Sequence, residues 1–254
     1  MAKNNHSAGD GEQGRLDSLL RRQASCGDMA GYERALRYAE SIVAVENCIA
    51  VVSRLADNSS RIIAGRFADA INLGAYDRED STWEERILSL MSEDERRDKF
   101  ISELRFFHYL RKIVPARRPD YYLCSRLRFN IGGGRTVDVG HRMYYVYDGA
   151  NTGIAAAICL YGPLTFGFSA KSCVVNSVTG ICEELSHSAD GSVLSPRECQ
   201  VLGLIDAGRK SREIAEMLNI SIHTVNRHRQ SILERLNVKN SHEACRIAKS
   251  MSMI

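Results

Sequence analysis

Residues 194–238 read LSPRECQVLGLIDAGRKSREIAEMLNISIHTVNRHRQSILERLNV. Ser195, Pro196 and Glu198 make a helix start: Ser as N-cap, Pro in the first turn, Glu three positions after the cap. Val201, Leu202, Leu204 and Ile205 supply an inward face, and Gly208 ends the helix. A second helix opens at Ser211 and buries Ile214, Ala215 and Leu218. Asn219-Ile220-Ser221 then turns the chain, and Ser221 caps a third helix reaching to about Leu236. Two short helices joined by a tight turn, the basic one second, define a helix-turn-helix.

Helical geometry assigns the faces of the third helix. At ~100° per residue, Val225, Ile232 and Leu236 fall on one line and pack inward. His223, Arg227, Gln230 and Glu234 lie roughly opposite, with Asn226 on the flank. Asn226, Arg227 and Gln230 are therefore the expected base contacts. An Arg fork matches a guanine edge, and Asn or Gln amides match adenine. Arg229 lies nearer the packed side and is expected at a phosphate rather than a base. Lys210, Ser211, Ser221, Thr224, His228 and Lys239 complete the expected backbone contacts.

The pattern Leu194-Ser195-Pro196-Arg197-Glu198, Val201-Leu202, Gly208, Glu213-Ile214-Ala215, Leu218, Ile220-Ser221, Thr224-Val225, His228, Ile232, Leu236 and Val238 resembles the LuxR/FixJ-type helix-turn-helix. The likeness covers about a quarter of the chain. It implies a third helix in the major groove and a fourth helix, here about 240–250, that mediates dimerisation. The family usually has Lys after Thr-Val, where this chain has Asn226. That exchange replaces a phosphate-seeking charge with an amide suited to adenine, so target preference does not carry over.

Charge agrees with this placement. The 254 residues carry a net +3, and all of it lies in residues 190–254, with ten Lys/Arg against seven Asp/Glu. The preceding residues hold 24 of each sign. Such a local excess points to a polyanion partner. Apolar content of 44% is enough to build cores, which excludes a disordered chain. The longest nearly uncharged apolar run, 153–162, is about half of the ~20 residues a membrane span needs. The first residues, MAKNNHSAGDGEQGR, hold no apolar signal core, so a cytoplasmic location is expected. Eight cysteines scattered without a Cys-x-x-Cys read as reduced, mostly buried thiols.

Upstream, residues 1–14 are a Gly/Asn/Ser-rich tail, and residues 15–40 carry helical spacing with a break at Cys26-Gly27-Asp28. Residues 41–189 read as an α+β domain. CIAVVSRL at 48–55 and Arg61–Gly65 form a hairpin. Residues 80–113 are helical around Trp83, Ile87, Leu88 and Met91, then around Phe100, Leu104, Phe107 and Leu110, with Ser92 and Glu95 as a capping box between. Period two follows at 121–129 and 135–147, and the near-continuous apolar run 153–160 is expected at the sheet centre. A hairpin around Ser177-Val178-Thr179-Gly180 and a Ser/Gly/Asp linker lead to the last domain at 190–254.

Two strands, a helical middle and three antiparallel strands resemble a PAS domain over about residues 40–162. Trp83-Glu84-Glu85-Arg86-Ile87 with Met91-Ser92-Glu93-Asp94 occupies the place of its interhelical acidic motif, and Gly133-Gly134 with His141-Arg142 that of its hairpin turn and return strand. The resemblance implies sensing or dimerisation. The expected whole is an antiparallel PAS-like sheet with helices, followed by an all-α four-helix helix-turn-helix domain.

Other features give no chemistry. Gly132-Gly133-Gly134 lacks a following Lys-Ser/Thr and is flanked by strands, which is a turn. Cys48 and His108 read as packed residues rather than flavin and haem partners, and Cys173, Cys182 and His187 lack zinc spacing. Glu84-Glu85 and Glu93-Asp94-Glu95 read as helix-start acids. No catalytic residue, metal or cofactor is expected. The reading is a homodimeric transcriptional regulator on double-stranded DNA, with a small molecule or protein as signal. A cofactor-bound sensor or enzyme domain with a secondary helix-turn-helix is the alternative.

Overall fold

The computed structural model describes residues 16, 20, 28–149, 153–164, 170–185, 194–236, 238, 240–250 and 253–254. The expected tail, Cys26, Leu19, His187, Lys239 and most of the linker lie outside them. The chain divides into two compact units, 1–184 and 185–254. The expected boundary at 189/190 falls among undescribed residues.

In the first unit Asp28, the last residue of the expected break, is an N-cap. The Asp28 side chain accepts from the Gly31 amide at 3.0 Å and opens helix α1, Met29–Glu46. The helix continues past the expected end at 40 and stops at Asn47, which takes a left-handed φ of 56°. Its buried face, Ala35, Ala39 and Val43, packs on Ala50, Val52, Ala156, Ile158 and Leu160. Small residues let helix and sheet approach closely. A Cβ at Gly31 would lie 2.7 Å from that of Ala155.

Strands β1 (Ile49–Arg54) and β2 (Ser59–Ala64) form the expected hairpin. Helix α2 (Phe67–Ala70) and strand β3 (Arg78–Glu79), which pairs with β2, have no strong sequence signal. The first expected helix after residue 80 shrinks to one turn, α3 (Glu85–Leu88). The backbone before it is held by the sheet instead, Ser53 donating to the Thr82 carbonyl at 3.0 Å and Ser60 to that of Ser81 at 2.8 Å. Helix α4 (Glu93–Lys112) starts at Ser92 as expected, with Ser92 Oγ accepting from the Glu95 amide. The Glu95 carboxylate does not close the box; it accepts from the Arg128 amide and faces Lys171.

A 3-10 turn (Pro115–Asp120) leads into β4 (Tyr121–Asn130), β5 (Thr136–Tyr147) and β6 (Ile154–Pro163). Strand β6 is flanked by β1 and β5 and buried on both faces over its first eight residues, which accounts for its unbroken apolar run. Strands β7 (Ser172–Asn176) and β8 (Cys182–Glu184) form the expected hairpin around 177–180, and it joins the main sheet. Strand β7 pairs with β4, completing an antiparallel sheet ordered β3-β2-β1-β6-β5-β4-β7-β8.

Opposite α1, the sheet carries α4, whose Phe106 stacks on Tyr145 at 5.7 Å between centroids. Trp83 meets Phe100 edge-on at 5.3 Å. His108 is buried, its titration pushed down to about 4 by burial and by Arg111 and Lys112. An unfolded histidine titrates near ~6.5. Between that value and about 4 the unfolded chain therefore binds a proton that the folded chain refuses, and stability falls as pH falls. His108→Phe, measured by urea unfolding at pH ~7 and ~5, should recover about 2 kcal/mol of the acid loss. An unchanged difference between the two pH values would refute this.

The second unit contains α5 (Pro196–Asp206), α6 (Ser211–Leu218), α7 (Ile222–Leu236) and α8 (Ser241–Ser250). Its buried residues include Leu194, Val201, Leu202, Ile214, Val225, Ile232, Leu236, Ala244, Ile247 and Ala248. Gly208, at φ 78°, ends α5 in the left-handed conformation that glycine adopts without strain. Among the described residues, no helix is long and apolar enough to cross a membrane.

Candidate nucleic-acid interface

The helix-turn-helix is positioned by the start of α5. Ser195 Oγ accepts from the Glu198 amide at 3.3 Å, and the Glu198 carboxylate accepts from the Ser195 amide at 2.7 Å. Glu198 has a second task that spacing alone does not reveal. Its Oε1 accepts from Ser231 Oγ at 2.6 Å and lies 3.3 Å from Arg235 Nε, so one buried carboxylate joins α5 to α7. Burial would raise its titration, but the hydroxyls, the amide and Arg235 outweigh burial and hold it below the usual carboxylate range.

Arg197 makes a parallel tie, donating to the Leu218 carbonyl at 2.6 Å. Asn219, at φ 52°, ends α6, and the Ile220 amide closes on the Ala215 carbonyl at 3.0 Å. Helix α7 begins at the expected cap, where Ser221 Oγ accepts from the Thr224 amide at 3.0 Å. Val225, Ile232 and Leu236 are at most 2% exposed and set the rotation of the helix.

That rotation turns His223, Asn226, Arg227, Gln230 and Glu234 outward. Among the described residues, Asn226 and Arg227 make no side-chain hydrogen bond or ion pair. Gln230 Nε2 donates to Glu234 Oε1 at 3.0 Å, which holds its amide along the exposed face.

The expected backbone contacts separate into two groups. Lys210, at the exposed N-cap of α6, gives its amide to Glu213 at 2.7 Å. Ser221 and Thr224 share a hydroxyl contact of 2.9 Å at the start of α7, and His228 is half-buried. Arg229 is engaged inside the unit, reaching Ser211 Oγ at 3.5 Å and Ser241 Oγ at 3.1 Å. It thus ties α7 to α6 and α8, and Ser211 is one of its acceptors. Lys239 is outside the described residues. Helix α8 is anchored by Lys249 to Asp206 at 2.8 Å, and its apolar Ala244, Cys245, Ile247 and Ala248 are buried within the unit. His242, Arg246 and Lys249 remain exposed on it.

Four short helices, the third with a buried apolar seam and an exposed amide-and-guanidinium face, define a helix-turn-helix module of the kind that binds DNA. Residues 192–248 match the family described as bacterial regulatory proteins, luxR family, so the C-terminal segment is a LuxR-family helix-turn-helix. The oxygen regulatory protein NreC of Staphylococcus epidermidis is 36% identical over 73 residues, which are 28% of this chain and 34% of NreC. The transcriptional activator protein EsaR of Pantoea stewartii subsp. stewartii is 34% identical over 70 residues, 28% of either chain. The chain thus spans about a third of the length of these curated relatives. Among solved structures, a phage VqmA–DPO complex aligns over 88% of this chain and 90% of its own, at 14% identity and a TM-score of 0.25.

The first unit holds a cluster that the sequence reading passed over. Glu84 stands at the N-cap of α3, as expected, but its side chain makes no cap bond and is 2% exposed; it accepts from Tyr161 Oη and pairs with Lys99 at 3.2 Å. Lys99 donates to Glu103 at 2.6 Å, one turn along α4. In sequence, Lys99 and Glu103 look like an ordinary solvated i,i+4 pair.

Proposed function

We propose that the chain is a sequence-specific transcriptional regulator that inserts α7 into the major groove of double-stranded DNA. The reading rests on the outward face of α7, where Asn226 and Arg227 are exposed without protein partners and Gln230 is held beside them. Asn226, Arg227 and Gln230 are the base-reading residues. Lys210, Ser221, Thr224, His228 and Lys239 approach phosphates, while Ser211 and Arg229 act there through the α6–α7–α8 tie. The protein works as a homodimer, each copy reading one half-site.

The first unit is a PAS-like sensory or dimerisation domain, bringing a small-molecule or protein signal to the DNA-binding unit. What supports this is the order β2-β1-β6-β5-β4, with α1 on one face and α4 on the other. Arg227→Ala should lose ~1–3 kcal/mol of discrimination at one base position while leaving affinity for unrelated duplex nearly unchanged. Competition binding against single-base variants of the selected site measures this; unaltered selectivity at every position would remove Arg227 from base reading.

A further inference from the structure

Beneath the sheet, on the α4 side, three potential metal ligands from three elements meet. Glu103 of α4, His141 of β5 and Cys159 of β6 bring a carboxylate oxygen, an imidazole nitrogen and a sulfur within 4.8 Å of one another. His141 Nε2 lies 3.8 Å from Glu103 Oε1, close to the separation of two ligands on one small cation. All three are at most 6% exposed.

A second observation is independent of this convergence. His141 is fully buried, yet neither ring nitrogen has a hydrogen-bond partner among the described residues. An orphaned imidazole in a core is costly unless something accepts from one nitrogen and something else takes the lone pair of the other. Ser125 stands directly opposite His141 in the β4–β5 register, and its hydroxyl is also buried without a partner. Nδ1–H directed at Ser125 Oγ would fix the tautomer and leave the Nε2 lone pair facing Glu103 and Cys159. The ring is already held in place by stacking on Tyr161, 4.9 Å between centroids.

We infer that Glu103, His141 and Cys159 form a binding site for a divalent cation of the Zn²⁺ class. The donor set decides the class. A thiolate with an imidazole selects a borderline-soft ion over Ca²⁺ or Mg²⁺, which take oxygen ligands. Charge agrees: Glu84 and Glu103 face a single ammonium, Lys99, leaving one buried negative charge in excess. A dication together with an ionised Cys159 brings the cluster to neutrality. Binding releases the thiol proton to solvent, and Glu103 Oε1, which faces His141 Nε2, also accepts from Lys99 at 2.6 Å, so ammonium and metal share that carboxylate.

Three protein ligands leave a fourth position. A cavity of about 20 Å³, lined by Glu84, Lys99, Glu103, Met143 and Cys159 among others, adjoins it and has room for one water.

The test is elemental analysis of the full chain, produced in zinc-supplemented culture and purified without a metal-chelating step. One zinc per chain is expected, with only traces in Cys159→Ser and His141→Gln. Cys173→Ser, which removes a buried thiol outside the cluster, should retain the metal. Trace zinc in the wild type, or zinc retained by Cys159→Ser, would overturn the site. Because the cluster is buried and its variants could unfold, cadmium NMR of the wild-type protein gives a variant-free reading. A single resonance in the one-thiolate range is expected. A shift typical of several thiolates would place the metal on other cysteines and also overturn the site.

Discussion

Lys99→Met should destabilise the first unit by ~3–5 kcal/mol, the cost of removing one partner from a buried ionic cluster. Lys99 is 2% exposed and is the ammonium that faces both Glu84 and Glu103. Methionine fills much of the same volume, so packing loss is small, and the penalty comes from two carboxylates left against each other in a core. Urea unfolding followed through Trp83, which lines the adjoining cavity and is the chain's one tryptophan, reads this directly.

Burial holds the Glu103 carboxyl above the usual range even with Lys99 present, and Glu84 pushes in the same direction. A carboxyl whose folded titration is raised stabilises the fold as pH falls, so acidification should recover part of the loss. Lys99→Met combined with Glu84→Gln and Glu103→Gln should recover most of it at neutral pH. A loss below ~1 kcal/mol in the single variant would mean that water reaches the cluster and screens it.

Ile232→Ala carries the second large effect, ~2–5 kcal/mol from the second unit. Ile232 is 1% exposed, midway along the seam that fixes the rotation of α7. A unit of 70 residues has a total stability of only ~3–10 kcal/mol, so the loss removes much of it. Loss of helical circular dichroism at a lower urea concentration, with a parallel fall in DNA affinity, is the expected pair of results. Full DNA affinity in a protein whose second unit unfolds this early would separate DNA binding from the helix-turn-helix.

The second unit was largely legible in the sequence because its signals are local. Ser195 and Glu198 sit three apart, Gly208 marks a helix end, and Val225, Ile232 and Leu236 repeat at helical spacing. What escaped the sequence there was long-range. Nothing near Glu198 announces that Ser231 and Arg235 will converge on it, or that Arg229 will turn to Ser211 and Ser241.

In the first unit, alternation located β4, β5 and β6, since one buried face imposes period two and two buried faces erase it. The helix expected from residue 80 failed because Ser53 and Ser60 capture the backbone at Ser81 and Thr82, a tertiary tie that outweighs local propensity. The Glu84–Lys99–Glu103 cluster was illegible for the same reason. Charged residues at helical spacing look solvated until the sheet that covers them is known.

The most direct test of the central claim is selection from random duplex DNA by the full-length protein, followed by binding to the selected site across a range of salt. One enriched sequence with two-fold repeated half-sites is predicted. The logarithm of affinity should fall linearly with the logarithm of salt, by about 0.9 for each phosphate contact. No enriched sequence, or an affinity indifferent to salt, would contradict the assignment of α7 as a DNA-reading helix.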